Sequence, residues 1–153
     1  MKLWKKILCP VDFSDVSQNA REYGVSLAKE CGAELIFIHV VEPIVAPADF
    51  SFGPVTTVEV EEQLIQRGRE SLSAIADRAG LPSDRATTRV ERGRPSAEIV
   101  RVAGEEGVDL IVMGTHGYTG LTHALLGSTA ERVVNKAPCP VLTIRSRSPE
   151  DSD

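Results

Sequence analysis

GTHGYTGLTHALLGST, residues 114–129, decides how this chain is read. It places glycines at 114, 117, 120 and 127, with hydroxyls and two histidines between them. Glycine loses the most backbone freedom on folding, so regular elements avoid it. Directly before the stretch stands DLIVM (109–113), an apolar run that reads as a buried strand. Directly after Gly127 stands STAERVVNK (128–136), where Ser128-x-x-Glu131 spells a capping box and predicts a helix start at Ser128. A strand end and a helix start joined through glycines form a surface of backbone N–H groups suited to an anion. The helix start adds unpaired donors and partial positive charge. Glu131 on the first turn opposes a phosphate there, and a divalent cation on the phosphates eases that conflict. Gly120 is expected only to turn the chain, and Leu121, Leu125 and Leu126 to pin the connector to the core.

Working outward, five runs read as strands: KKILCPV (5–11), AELIFIHVV (33–41), ATTRVER (86–92), DLIVMG (109–114) and PVLTIR (140–145). Four are nearly continuous in apolar residues, as in a parallel sheet buried on both faces. The third alternates with Arg89, Glu91 and Arg92, which predicts a place near a sheet edge. Helical patterns lie between them. Residues 14–32 start at a Ser cap and stop at Gly32, with an apolar stripe of Val16, Ala20, Tyr23, Leu27 and Cys31. Residues 56–79 are stopped by Gly80 and Pro82, residues 95–107 carry Pro95 in the first turn, and residues 128–136 end at Ala137-Pro138. Strict β-α alternation implies an α/β fold with a parallel sheet, helices on both faces and right-handed crossovers. Ligands in such sheets sit at the carboxyl ends of the strands, near the switch in strand order. That points to CPVDFS (9–14), HVVEP (39–43) and the glycine-rich stretch.

The totals bound the alternatives. A chain of 153 residues suits one domain, expected over 1–146, with a polar disordered tail at 147–153. A net charge of −5 without a basic block disfavours nucleic acid as a partner. Asp12 breaks the first apolar run too early for a signal peptide, and no stretch reaches the roughly 20 apolar residues of a membrane helix. A soluble, cytoplasmic protein is expected. Cys9, Cys31 and Cys139 show no metal-ligand or redox spacing and read as reduced, mostly buried apolar residues. The connector at 42–55 holds three prolines and a glycine and is long enough to be functional or mobile. Its Phe50 and Phe52 are expected to rest on the domain body rather than on a ligand. No Walker A loop, Rossmann fingerprint or nucleophile elbow occurs.

The spacing Gly114-x2-Gly117-x9-Gly127-Ser128 resembles the nucleotide-binding signature of the universal stress protein family, in its ATP-binding branch. KKILCPVDFSDVSQNA, HVVEP, GVDLIVMGTHG and APCPVLTIR resemble other parts of the same family, so the likeness covers about residues 4–145. It implies a five-stranded parallel sheet ordered 3-2-1-4-5 with a site for ATP across the strand ends. By position, Pro10, Val11 and Asp12 would lie beside the adenosine, and the Val40 backbone would meet the adenine edge. Met113, Gly114, Thr115, His116 and Gly117 would follow the ribose and phosphates, and Gly127, Ser128 and Thr129 would hold the phosphates with Mg²⁺ or Mn²⁺. Only the resemblance supplies adenine.

Asp12 suits ligand or metal contact, though an Asp after a strand is also a common turn former. His116 is expected on the phosphate side, His123 at the surface, and His39 as a satisfied core histidine. The family pairs its last strand across a two-fold axis, which implies a homodimer through 140–145. The expected function is a nucleotide-dependent regulator in stress response, acting on an unknown protein partner, with slow or no hydrolysis and no assigned catalytic residue. An ATPase or self-phosphorylating phosphotransferase, and an interaction protein without nucleotide, stand as alternatives.

Overall fold

The computed structural model describes residues 3–45, 57–116 and 126–146. Along the chain run β1 (Lys6–Pro10), α1 (Asp15–Cys31), β2 (Glu34–Val41), α2 (Thr57–Arg78) and β3 (Ala86–Arg92). They are followed by α3 (Pro95–Glu105), β4 (Leu110–Gly114), α4 (Ser128–Lys136) and β5 (Val141–Ile144). The strands form one sheet ordered β3-β2-β1-β4-β5, with every pair parallel. This is the order the family resemblance implies. The switch in strand order falls between β1 and β4, so their carboxyl ends flank the crevice where such sheets receive ligands.

Successive strand residues point to opposite faces, and each face has its own helix layer. Ile7, Cys9, Leu35, Phe37 and Val112 pack with Ala28 of α1 and Leu72 of α2. Leu8, Ile36, Ile38, Ile111 and Met113 pack with Ile99 and Val102 of α3 and Val133 of α4. Both faces are covered, which is why these strands read as continuous apolar runs. β3 stands at an edge and is at most half-buried, as its alternation with charge predicts. Arg89 on β3 reaches Glu106 beyond α3 at 3.0 Å, tying that edge strand to the neighbouring layer.

The stripe expected on α1 is corrected. Its buried residues are Ser17, Ala20, Gly24 and Ala28, and Tyr23 is 47% exposed. The cause is close approach: a Cβ on Gly24 would already sit 3.6 Å from Cys9 Sγ on β1. Small side chains let the helix lie against the sheet, so the larger Val16, Leu27 and Cys31 are left half-buried at the flanks. The ends of α1 match expectation, with Ser14 capping through Ser17 N–H and Gly32 left-handed at φ 66°. Helix α3 stops at Glu105, two residues before the expected end.

The three cysteines are free thiols, but only Cys9 is fully buried; Cys31 and Cys139 are half-buried. Burial pushes the Cys9 thiol up to about 12. Among the described residues, no helix is long and apolar enough to cross a membrane. The tail at 147–153 lies outside the described residues, as do Phe50 and Phe52.

Candidate functional site

The loop after β1 is built by short-range polar contacts. Asp12 Oδ1 accepts the Ser14 N–H at 2.9 Å and the Ser14 hydroxyl at 2.5 Å. Ser14 Oγ in turn accepts the Ser17 N–H at 3.2 Å and starts α1. Asp12 is therefore a turn former and a brace for the cap, whatever else it touches. Between these residues Phe13 adopts φ 63°, a left-handed conformation that bulky side chains rarely take. Its ring lies 4.4 Å from that of His39, centre to centre.

Val11 and β2 are locked together. The Val11 N–H donates to Ile38 O at 2.8 Å, and Val11 O lies 2.8 Å from His39 Nδ1. A carbonyl only accepts, so Nδ1 carries the proton in that contact. His39 is the satisfied histidine expected from sequence. Gly68 of α2 makes room for it, since a Cβ there would sit 3.1 Å from His39 Cδ2. The Val11 N–H is engaged and its side chain is buried, so what it can still offer a ligand is a second lone pair on its carbonyl. Pro10 and Val40 are half-buried at the ends of their strands. On the α2 side of the β2 end lies a cavity of about 360 Å³, bounded in part by Phe13, His39, Val40, Leu64 and Ser71.

The other part of the site joins β4 to α4. The Thr115 N–H donates to Ile144 O at 3.0 Å, and the Gly127 N–H donates to Thr115 O at 2.7 Å. The first bond holds the β4 end on β5, and the second brings it against the start of α4, although Thr115 and Gly127 are 12 residues apart along the chain. Thr115 is buried, and its hydroxyl lies 3.0 Å from His116 Nδ1. The Met113 side chain is core, so only its backbone is available to a ligand.

The helix begins at Ser128 as expected, but the capping box is corrected. Gly127, not Ser128, is the N-cap, with extended φ −62° and ψ 160°, and no side chain caps the helix. The Glu131 N–H bonds to Gly127 O at 2.9 Å, so the ladder begins at residue 127 and Ser128 falls inside the first turn. The reason is the Gly127–Thr115 bond, which fixes Gly127 in the extended geometry that a cap requires. The N–H groups of 128, 129 and 130 precede that first rung and have no partner within the helix. The capping box is not formed, and the Ser128 side chain stands exposed.

The glycines differ in what they allow. A Cβ on Gly127 would lie 3.0 Å from Thr115 O, tighter than side chains ordinarily pack, so a larger residue there must displace the Thr115 carbonyl. A Cβ on Gly114 would make ordinary contacts, 3.5 Å to His116 O and 3.8 Å to Val16 Cγ1. Gly117, Gly120, Leu121, His123 and Leu125 lie outside the described residues. Leu126 is 38% exposed and does not pin the connector.

Sequence reasoning missed Glu61. It is 5% exposed, accepts the Ile44 N–H at 2.8 Å and pairs with Arg92 at 2.8 Å. A signal was present, because Glu61 shares the buried stripe of α2 with Gly68 and Leu72. Among the described residues, no group of three His, Cys, Asp or Glu side chains is placed to hold a metal. The donors on offer at the β4–α4 junction are N–H groups, which suit phosphate oxygen rather than a cation.

Comparison with known proteins adds a family. A sequence profile of the universal stress protein family matches residues 3–145. Universal stress protein MJ0531 of Methanocaldococcus jannaschii is 41% identical over 151 residues, covering 97% of this chain and 86% of the relative. Among solved structures, universal stress protein UspA from Lactobacillus plantarum superposes with a TM-score of 0.78 at 27% identity, covering 94% and 99% of the two chains. Protein MJ0577, solved for a structure-based assignment of biochemical function, gives 0.77 at 28% identity, covering 95% and 99%. Its sequence is that of a universal stress protein of M. jannaschii.

Proposed function

The chain belongs to the universal stress protein family, and from that premise we propose that it binds ATP as a nucleotide-dependent regulator in the cytoplasm. One observation carries the reading: the Gly127–Thr115 bond sets the first turn of α4, with its N–H groups free of helix partners, against the carboxyl end of β4, a strand that flanks the strand-order switch. In this reading the phosphates lie on 127–129, the ribose and phosphates pass Gly114–Gly117, and the adenosine reaches Pro10–Asp12 and the Val40 backbone. Asp12 Oδ1 is already engaged by Ser14, so a Mg²⁺ or Mn²⁺ ion would ride on the phosphates rather than in a protein cage.

Slow or absent hydrolysis follows from the chemistry on offer. His39 is held by Val11, and His116 is in contact with Thr115. Neither is paired with a carboxylate as a general base would be. Fast steady release of phosphate by pure protein would favour an ATPase instead. Calorimetry with ATP and Mg²⁺ tests binding directly: one saturable site per chain is expected, and no heat or saturation contradicts the proposal.

We further propose a homodimer through β5. That strand is a sheet edge, with its own Leu142 38% exposed and Val134 of α4 44% exposed. Unpaired edges of this kind invite pairing with a second chain. Light scattering at micromolar concentration should give twice the chain mass; a monomer overturns this.

A further inference from the structure

We propose that Glu61 is a positioning residue for base recognition, anchoring the chain as it leaves β2; the inference rests on the adenine reading above. A buried carboxylate is rare and is retained only with good partners. Glu61 has two, one on the segment that follows β2 and one at the end of β3. Oε1 accepts the Ile44 N–H at 2.8 Å, and Oε2 meets Arg92 Nη2 at 2.8 Å. Arg92 lies alongside Val41 in the β2–β3 ladder, and the next residue, Gly93, donates its N–H to Val41 O at 3.0 Å. One side chain from α2 thus holds the end of β3 and the segment that follows β2. That segment begins directly after Val40 and Val41, the former assigned to the base edge.

Stability alone does not account for such an arrangement. The desolvation of a buried ion pair offsets much of its attraction, and an apolar residue of similar size is often as stabilising. The best-attested use of a buried charge is to specify one register among several. Here the two partners differ in kind. Arg92 is largely exposed, so the solvent takes it when Glu61 is removed. The Ile44 N–H is a backbone group, so its loss frees the path of the main chain. Glu61 therefore sets where the backbone after Val40 runs, and a base read through that backbone is read in the position Glu61 allows.

The experiment is Glu61→Leu in the full chain, with Glu61→Gln and Arg92→Leu beside it. Three quantities are measured: the melting temperature, hydrogen exchange at the Ile44 amide without nucleotide, and the ratio of ATP to GTP affinity. Glu61→Leu is expected to remain folded, to expose the Ile44 amide to exchange, and to lower the ATP preference about tenfold, the worth of one misaligned hydrogen bond. Glu61→Gln keeps an acceptor for Ile44 and should retain its protection. Arg92→Leu leaves Glu61 on the Ile44 N–H but without its cation, so it should lower the melting temperature while keeping the Ile44 amide protected and the ATP preference parent-like. Parent-like preference in Glu61→Leu, or a lost preference in Arg92→Leu with the Ile44 amide still protected, overturns the inference alone. A parent that binds ATP and GTP equally removes the adenine reading and overturns the inference with it.

Discussion

Around β1 and β2 the loops are tied down by side chains: Asp12 to Ser14, Ser14 to Ser17, His39 to Val11, and Glu61 to Ile44. At the β4–α4 junction, among the described residues, the ties run through the backbone: Thr115 to Ile144 holds the β4 end on β5, and Gly127 to Thr115 joins it to the helix start. The contrast teaches how one sheet edge can do two jobs. Side-chain ties use up the polar groups of the first region and hold it in one shape, as selection of a base requires. Backbone ties leave the first-turn N–H groups of α4 open, as the holding of a phosphate requires. Even the strained Phe13 fits this division, because it lies in the side-chain-braced region, where surrounding contacts can hold an unfavourable conformation.

The comparison is open to attack by substitution. The largest effect is expected at Gly127. Gly127→Val places a Cβ within 3.0 Å of Thr115 O, so it should destabilise the fold by about 1–3 kcal/mol and abolish nucleotide binding. Thermal melts and calorimetry on the same sample check both. Gly114→Ala separates the two losses, because the protein has room for its Cβ. ATP affinity should fall about tenfold, with stability within about 1 kcal/mol of the parent. Equal affinity in Gly114→Ala would remove the strand end from the site.

A smaller pair of effects tests the two kinds of helix start. Ser14→Ala removes a working cap and should cost about 1 kcal/mol in urea unfolding. Ser128→Ala removes a hydroxyl that caps nothing and should change stability by less than about 0.5 kcal/mol. If the Ser128 variant lost as much as the Ser14 variant, the capping box would be real and the open first turn of α4 would not.

The sequence carried most of the fold and less of the site. Strand and helix ranges were legible because both faces of the sheet are covered, so every strand but the edge strand β3 is a nearly unbroken apolar run such as Leu35–Ile38. The α1 stripe was misread because burial there follows closeness to the sheet rather than hydrophobicity, and Ser17 and Gly24 outrank Tyr23. At α4 the helix starts at Ser128 as read, but Ser128-x-x-Glu131 forms no capping box, because a long-range bond from Gly127 to Thr115 makes Gly127 the N-cap. No local pattern reports such a bond. Glu61 escaped for the same reason, since its partners Ile44 and Arg92 lie 17 and 31 positions away in sequence.

The central claim is that the junction of β4 and α4 is built to receive the phosphates of an adenine nucleotide. Calorimetric titration of the parent and of Gly114→Ala with ATP and Mg²⁺ tests it most directly. The account predicts one saturable site per chain in the parent, weakened about tenfold in the variant while its melting curve is unchanged. A parent that takes up no ATP, or a variant that binds it as tightly as the parent, would contradict it.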